Sequence, residues 1–134
     1  MSVRRSTAKV PTEHQEQVAL FAWSRLHEAK YPDLKWLYAV PNGARTSMST
    51  AKKLKAEGLR KGYPDIGLDV ARGGYHGLRI EMKRQKGGRV SPEQRAWILR
   101  LENVGYFCAV ADGWEHASQL LGLYLTAPAT RIAA

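Results

Sequence analysis

The sequence lacks the features that define several common classes of protein. It contains a single cysteine, Cys108, so an internal disulfide and a metal site built from several thiolates are both excluded. No apolar run approaches the roughly 18 residues that a membrane-spanning helix needs. No apolar segment follows the early arginines Arg4 and Arg5, which argues against a secretory signal. We therefore expect a cytoplasmic protein that does not enter a membrane.

Acidic residues are also few. The chain has 12 Asp and Glu against 21 Lys and Arg, for a formal net charge of +9. Net charge alone is weak evidence of a polyanionic partner, because many basic surfaces are only solvated. Its placement says more: basic residues lie on both sides of segment 65–83, and those with the best claim to DNA contacts are Lys52, Lys53, Arg60, Lys61, Arg84, Lys86 and Arg89.

The length and apolar content fit one folded domain. The chain has 134 residues and is 44% hydrophobic, which is enough to bury a core. We assign residues 11–124 to this domain. Residues 1–10 are expected to be a flexible basic segment, and residues 125–134 a loosely held tail.

Capping signals indicate four helices. Capping-box spacings open three of them, at Thr12 and Gln15, at Ser91 and Gln94, and at Asp112 and Glu115. Another helix is capped by Ser49 or Thr50 and ends before Gly58. The first helix carries an apolar stripe formed by Val18, Phe21, Ala22 and Leu26, with Arg25 at its edge.

Four strands are indicated between these helices. They lie at residues 35–40, within the loop-to-strand segment 62–70, at 75–83 and at 106–110, with turns at 41–43 and 72–74. The middle two strands form a hairpin, and the helix between Lys83 and Tyr106 favours a crossover to a parallel strand. The order αβαββαβα therefore predicts an α/β fold with a mixed sheet flanked by helices.

Three charged residues stand out on the predicted hairpin. Asp65 enters one strand, and Glu81 and Lys83 end the next. Residues two apart in a strand point to the same face, so Glu81 and Lys83 project together while Met82 points away. Pairing of the two strands brings Asp65 to the same end. Folding gains nothing obvious from charge at these positions, so the grouping indicates a functional site.

This grouping suits the hydrolysis of phosphodiesters. Magnesium prefers oxygen ligands and usually takes only one or two carboxylates, which Asp65 and Glu81 can supply. The backbone carbonyl of Met82 can supply a further oxygen. Lys83 can stabilise the developing charge or hold the attacking water. A role for Lys83 as a base is less favoured, because the adjacent carboxylates oppose lowering of its pKa.

The order of motifs resembles a known nuclease family. Gly62-Tyr63-Pro64-Asp65 followed by Ile80-Glu81-Met82-Lys83 matches the signature of the PD-(D/E)xK nuclease superfamily. The finer match is to the virus-type replication-repair nucleases, the VRR-NUC family. Its supporting motifs are Thr12-Glu13, Pro41-Asn42-Gly43-Ala44, Gly58-Leu59-Arg60-Lys61-Gly62, Gly77-Leu78 and Ser91-Pro92-Glu93-Gln94.

The resemblance implies a restriction-endonuclease-like fold and cleavage of DNA with Mg²⁺ or Mn²⁺. It places Asp65, Glu81 and Lys83 at the catalytic positions. It adds a metal-binding glutamate on the first helix, best matched by Glu13, with Glu16 as the alternative. It also suggests Gln94 as a site residue, although helix capping alone explains a glutamine there.

Similarity to single-domain members of the family implies a homodimer that acts on branched DNA in the manner of a Holliday-junction resolvase. The setting would be replication, recombination or repair, in a bacterial cell or a phage-infected host. Two other functions stay open. One is a catalytically silent nucleic-acid-binding domain, and the other is an accessory protein of a replication complex.

Overall fold

A computed structural model describes residues 9–41 and 47–133. Its helices are α1 (Glu13–Leu26), α2 (Met48–Ala56), α3 (Pro92–Asn103) and α4 (Trp114–Thr126), with a 3-10 helix at Pro32–Trp36. Its strands are β1 (Tyr38–Ala39), β2 (Ile66–Leu68), β3 (Leu78–Lys83) and β4 (Phe107–Asp112). The helices and strands follow the predicted order αβαββαβα, which confirms the α/β class.

The four strands form one mixed sheet in the order β1-β2-β3-β4. β2 pairs antiparallel with both β1 and β3, and Ile66 lies opposite Ile80. β3 pairs parallel with β4, and Glu81 lies opposite Val110. The predicted hairpin and the crossover through α3 are therefore confirmed, and the hairpin brings the start of β2 beside the end of β3.

The two faces of β3 have different neighbours. Leu78, Ile80 and Met82 are at most 1% exposed and belong to the core that α1 and α4 cover, together with Leu20 and Leu121. Arg79, Glu81 and Lys83 alternate with them and are also buried, on the face towards α3. The sheet thus separates an apolar layer from a buried polar one.

Two of the three predicted capping boxes are confirmed. The Thr12 and Ser91 hydroxyls accept hydrogen bonds from the backbone of Gln15 and Gln94, and each glutamine side chain returns the contact. The third, at Asp112 and Glu115, is wrong, because Gly113 is the N-cap of α4 and no side chain of that segment caps it. α2 begins earlier than expected, with Ser47 as its N-cap.

The predicted strand 35–40 is mostly wrong. Lys35 and Trp36 form the end of the 3-10 helix that begins at Pro32. Of the predicted strand, only Tyr38 and Ala39 pair with β2. The apolar stripe of α1 is wrong in part. The buried face instead carries Leu20 with two polar residues, Glu16 and Ser24. Val18 and Leu26 are 55% and 81% exposed.

The C-terminal segment is held more firmly than its composition indicated. α4 continues to Thr126. Beyond it, backbone hydrogen bonds join Gly73 to Pro128 and Thr130 to Ala71. Of the turn at 41–43, residues 42 and 43 lie outside the described ranges. Within those ranges, no helix is both long and apolar enough to cross a membrane.

Candidate active site

The structure brings Asp65, Glu81 and Lys83 together at one end of the polar face. Asp65 directly precedes β2, and the backbone N–H of Met82 donates to Asp65 Oδ2 at 2.9 Å. Lys83 Nζ lies 3.6 Å from Glu81 Oε1. The exposed fractions of Asp65, Glu81 and Lys83 are 8%, 2% and 6%. Burying such groups is costly unless they are compensated, so a functional role is favoured over a solvated ion pair.

Gln94 performs both of the roles that the sequence left open. Its Oε1 accepts from the Ser91 backbone N–H at 2.8 Å, which closes the capping box of α3. Its Nε2 donates to Glu81 Oε1 at 2.7 Å. The single amide therefore fixes the start of α3 and orients a buried carboxylate.

Glu81 is poorly compensated by the protein alone. Burial and the charge of the neighbouring Asp65 carboxylate raise the pKa of Glu81 from its ordinary value of 4.5 to about 8, although Lys83 acts in the opposite direction. Within the described part of the chain, its Oε2 is fully buried and has no hydrogen-bond partner. An additional cation beside this carboxylate would relieve the deficit of positive charge.

The oxygen ligands that Asp65 and Glu81 offer fit a cation that keeps several of its waters better than one that takes all its ligands from the protein. Among residues 9–41 and 47–133, no three His, Cys, Asp or Glu side chains converge as metal ligands. Asp65 and Glu81 instead form a pair of carboxylates, and one oxygen of Glu81 has no hydrogen-bond partner in the described part of the chain. Two carboxylates with water and phosphate completing the shell are typical of magnesium.

The first helix presents both of the glutamates that the sequence could not separate. Glu13 Oε1 lies 3.7 Å from Lys83 Nζ, and its side chain is 47% exposed. Glu16 is buried and accepts from the Trp114 backbone N–H at 3.0 Å and from Gln85 Nε2 at 3.1 Å. Glu13 therefore borders the candidate site, whereas Glu16 fastens the start of α4 to α1.

Glycine at position 113 makes this contact possible. Gly113 has φ of +91°, and a Cβ there would lie 2.7 Å from Glu16 Oε2. A side chain would both strain the backbone and displace the carboxylate. Glu16 is thus the cap that replaces the predicted Asp112–Glu115 box.

Arg79 is a component of the site region that the sequence analysis did not single out. Its Nε donates to the Tyr63 hydroxyl at 3.0 Å, and its Nη2 lies 2.9 Å from Asp69 Oδ1. The guanidinium also lies over the Tyr106 ring, with Cζ 4.6 Å from the centroid. Its position two residues before Glu81 on an alternating strand was the available signal.

These contacts hold the segment that carries Asp65. Tyr63 is fixed by Arg79 and packs edge-to-face on Trp97 of α3, with ring centroids 5.0 Å apart. Gly62 packs so closely on α3 that a Cβ there would meet the Glu93 backbone at 2.6 Å. The turn before Asp65 is therefore positioned by both β3 and α3.

The residues predicted to contact DNA fall into three groups. Arg84, Lys86 and Arg89 are exposed in the loop that follows Lys83, which places this basic loop next to the buried charges. Lys52 and Lys53 lie on α2, none of whose residues is buried. Lys61 Nζ lies 3.7 Å from Glu93 Oε1, and Arg60 is exposed beside it.

Comparison with known proteins agrees with this architecture, which is that of a nuclease-type α/β fold. The sequence profile of the VRR-NUC domain matches residues 8–115. A solved structure described as a VRR_NUC domain protein superposes with a TM-score of 0.79 and 31% sequence identity, covering 92% of this chain and 95% of that one. A search of the curated proteins gives no significant match. The chain belongs to the VRR-NUC family.

Proposed function

We propose that this protein is a divalent-metal-dependent DNA endonuclease that hydrolyses phosphodiester bonds. The observation that carries the proposal is the buried cluster of Asp65, Glu81 and Lys83, in which Glu81 Oε2 lacks a partner within the described residues. Membership of the VRR-NUC family supports it. A folded domain retains such a costly cluster when the charges act on a ligand.

Each side chain has a chemical task that follows from its contacts. Asp65 and Glu81 would hold Mg²⁺ or Mn²⁺, with the Met82 carbonyl and Glu13 as further oxygen donors. When bound, the ion supplies Lewis-acid polarisation of the phosphate and a more acidic water. Gln94 holds Glu81 in place through its 2.7 Å hydrogen bond. Lys83 stabilises negative charge that develops on the phosphoryl oxygens.

The substrate is proposed to be branched DNA, processed as by a Holliday-junction resolvase in replication, recombination or repair. A single small domain with one cluster can cut one strand, so symmetric cleavage of a junction requires a homodimer with two-fold symmetry. The outer face of α1, with Val18 and Leu26 exposed, and the 60% exposed Trp36 offer apolar surface for that contact. Sedimentation at working concentration tests the dimer.

The decisive experiment is a cleavage panel with the purified full chain. Labelled junctions, flaps, duplexes and single strands are each incubated with Mg²⁺, Mn²⁺ or chelator. We expect cleavage only with metal, highest on a branched substrate, and absent in Asp65→Asn. Glu28→Gln, at an exposed carboxylate in the turn after α1, serves as the matched control and should cleave normally.

Direct binding of metal gives a second measurement. A ligand that binds only the folded state stabilises it by about 2.7 kcal/mol at 100 times its Kd, so Mn²⁺ should raise the Tm of the wild type. Asp65→Asn should lose most of this increase. DNA binding without cleavage under every metal condition would support the catalytically silent alternative instead.

A further inference from the structure

A small cavity borders the segment that leads into Asp65, because Tyr63 belongs to its lining. Its volume is about 230 Å³, and its lining includes Val40, Pro41, Leu59, Arg60, Tyr63 and Trp97. We propose that this cavity receives one unstacked nucleobase of the DNA strand being cut. The inference rests on the proposed nuclease function and specifies how the enzyme selects its substrate.

The walls of the cavity suit a planar, uncharged ring. Tyr63 and Trp97 meet edge-to-face at 72°, with centroids 5.0 Å apart, and they present two aromatic surfaces at an angle. Leu59 and Val40 add aliphatic surface. The volume is below the roughly 300–1,000 Å³ of clefts that enclose drug-sized ligands, as expected for one heterocycle. Bases stack on such side chains with little dependence on sequence.

Arg60 gives the cavity a charged rim. Its side chain belongs to the lining, and the residue is exposed. A guanidinium at the edge of an apolar cavity can pair with the phosphate of the nucleotide whose base lies inside. Arg60 thereby adds an anion-binding group to a cavity that is otherwise lined mainly by apolar and aromatic residues.

The cavity and the carboxylates are held by the same structural elements. The Val40 backbone N–H donates to the Asp65 carbonyl oxygen at 2.7 Å, and Tyr63 lies two residues before Asp65. Trp97 follows Gln94 by one helical turn on α3, so both face the sheet from the same side. The segment before Asp65 and helix α3 thus contribute to both the cavity and the carboxylate cluster.

Occupation of the cavity links this site to the shape of DNA. A base can enter only after it leaves the helical stack, and this costs least where the base is mismatched, at a branch or single-stranded. The cavity would therefore favour branch points over continuous duplex without reading sequence. This selection needs no additional domain.

The test is a double-mutant cycle between a base and a tryptophan. Branched DNA with a fluorescent label is made in versions that each lack one base, the abasic position being moved through the branch point. Affinity is measured in chelator, where binding is independent of cleavage, for the wild type and for Trp97→Leu. Tyr75→Leu is the control, since Tyr75 is an exposed aromatic residue outside the cavity.

In the wild type, loss of one particular base should weaken binding roughly 5- to 100-fold, as for a base stacked on aromatic side chains. In Trp97→Leu, loss of the base at the same position should change the affinity for DNA by less than about twofold. Should Trp97→Leu fail to fold, Leu59→Trp provides a second variant, because it fills the cavity and should remove the same dependence.

The proposal is overturned if loss of the base weakens DNA binding equally in the wild type and in both cavity variants. It is also overturned if no abasic position weakens binding to the wild type. These results differ from failure of the proposed function. If the protein binds the abasic series as expected but never cleaves DNA, the base subsite is supported and only the proposed catalytic function is contradicted. Tyr63→Phe keeps the ring and should retain the dependence on the base.

Discussion

The two faces of strand β3 are equally buried but are buried for different reasons. On one face Leu78, Ile80 and Met82 contact apolar residues of α1 and α4, so removing them from water stabilises the fold. On the other face Arg79, Glu81 and Lys83 remove charge from water, which opposes folding unless each charge is compensated.

Compensation on the polar face is uneven. Arg79 is fully engaged by Tyr63, Asp69, the Leu78 carbonyl and the Tyr106 ring. Among the described residues, Glu81 Oε2 has no hydrogen-bond partner, and burial is the principal cause of its raised pKa of about 8. We therefore propose that, on the polar face, Arg79 serves structure and Glu81 serves a ligand. Substitutions should separate stability from activity according to the face that they alter.

The largest expected effect is on the polar face. Glu81→Gln keeps the size of the side chain and the possibility of an amide–amide contact with Gln94, but it removes a carboxylate that we propose binds the metal. We expect cleavage to fall by on the order of 10³-fold. The free energy of unfolding should not decrease, because a neutral amide of the same size replaces a carboxyl group whose burial raises its pKa to about 8. Single-turnover cleavage and urea unfolding measure the two quantities, and near-normal cleavage would contradict the site assignment.

The core face should show the opposite pattern. Ile80→Ala removes a fully buried side chain and should lower the free energy of unfolding by about 2–5 kcal/mol. The rate of cleavage per folded molecule should stay near that of the wild type. If Ile80→Ala does not fold, Ile80→Val should show the same pattern with a cost of about 0.5–1.5 kcal/mol. A large loss of cleavage activity in a stably folded Ile80→Val variant would contradict the assignment of the apolar face to stability and of the polar face to activity.

The two glutamates of α1 sharpen the comparison further. Glu13→Gln should reduce cleavage about 10- to 100-fold, in the range of residues that support metal ligands, and should scarcely change stability. Glu16→Gln should lower the free energy of unfolding by about 1–3 kcal/mol, because an amide cannot accept from both the Trp114 N–H and Gln85. The reverse assignment of effects would make Glu16 the metal-binding residue.

Sequence reasoning succeeded where the relevant contacts are local. Glu81 and Lys83 share a face because alternation along a strand has a period of two, and the antiparallel pairing of the consecutive strands β2 and β3 brings Asp65 to them. The capping boxes at Thr12 and Ser91 span only three residues. Such features are written into short segments and need no knowledge of the tertiary structure.

It failed where a residue is explained by a distant partner. Glu16 lies on the buried face of α1 because it accepts a hydrogen bond from Trp114, 98 residues later in the chain. A search for an apolar stripe does not detect a buried helix face that contains polar residues. The sequence pattern therefore assigns the exposed residues Val18 and Leu26 to the buried face. Arg79 likewise requires Tyr63, Tyr106 and Asp69, which come from three other segments.

The smallest expected effects belong to the exposed charges beside the polar face. Lys86 and Arg89 lie in the solvated loop after β3, so they should contribute to DNA affinity through phosphate contacts rather than to the chemistry. Lys86→Ala and Arg89→Ala should each reduce the slope of log affinity against log salt by about 1, with cleavage at saturating DNA unchanged. Lys30→Ala removes a similar exposed charge near the C-terminal end of α1, far along the chain from this loop, and should leave the slope unaltered. An equal change in all three variants would mean that the protein attracts DNA through its net charge of +9 alone, and that the basic loop has no special place beside the buried carboxylates.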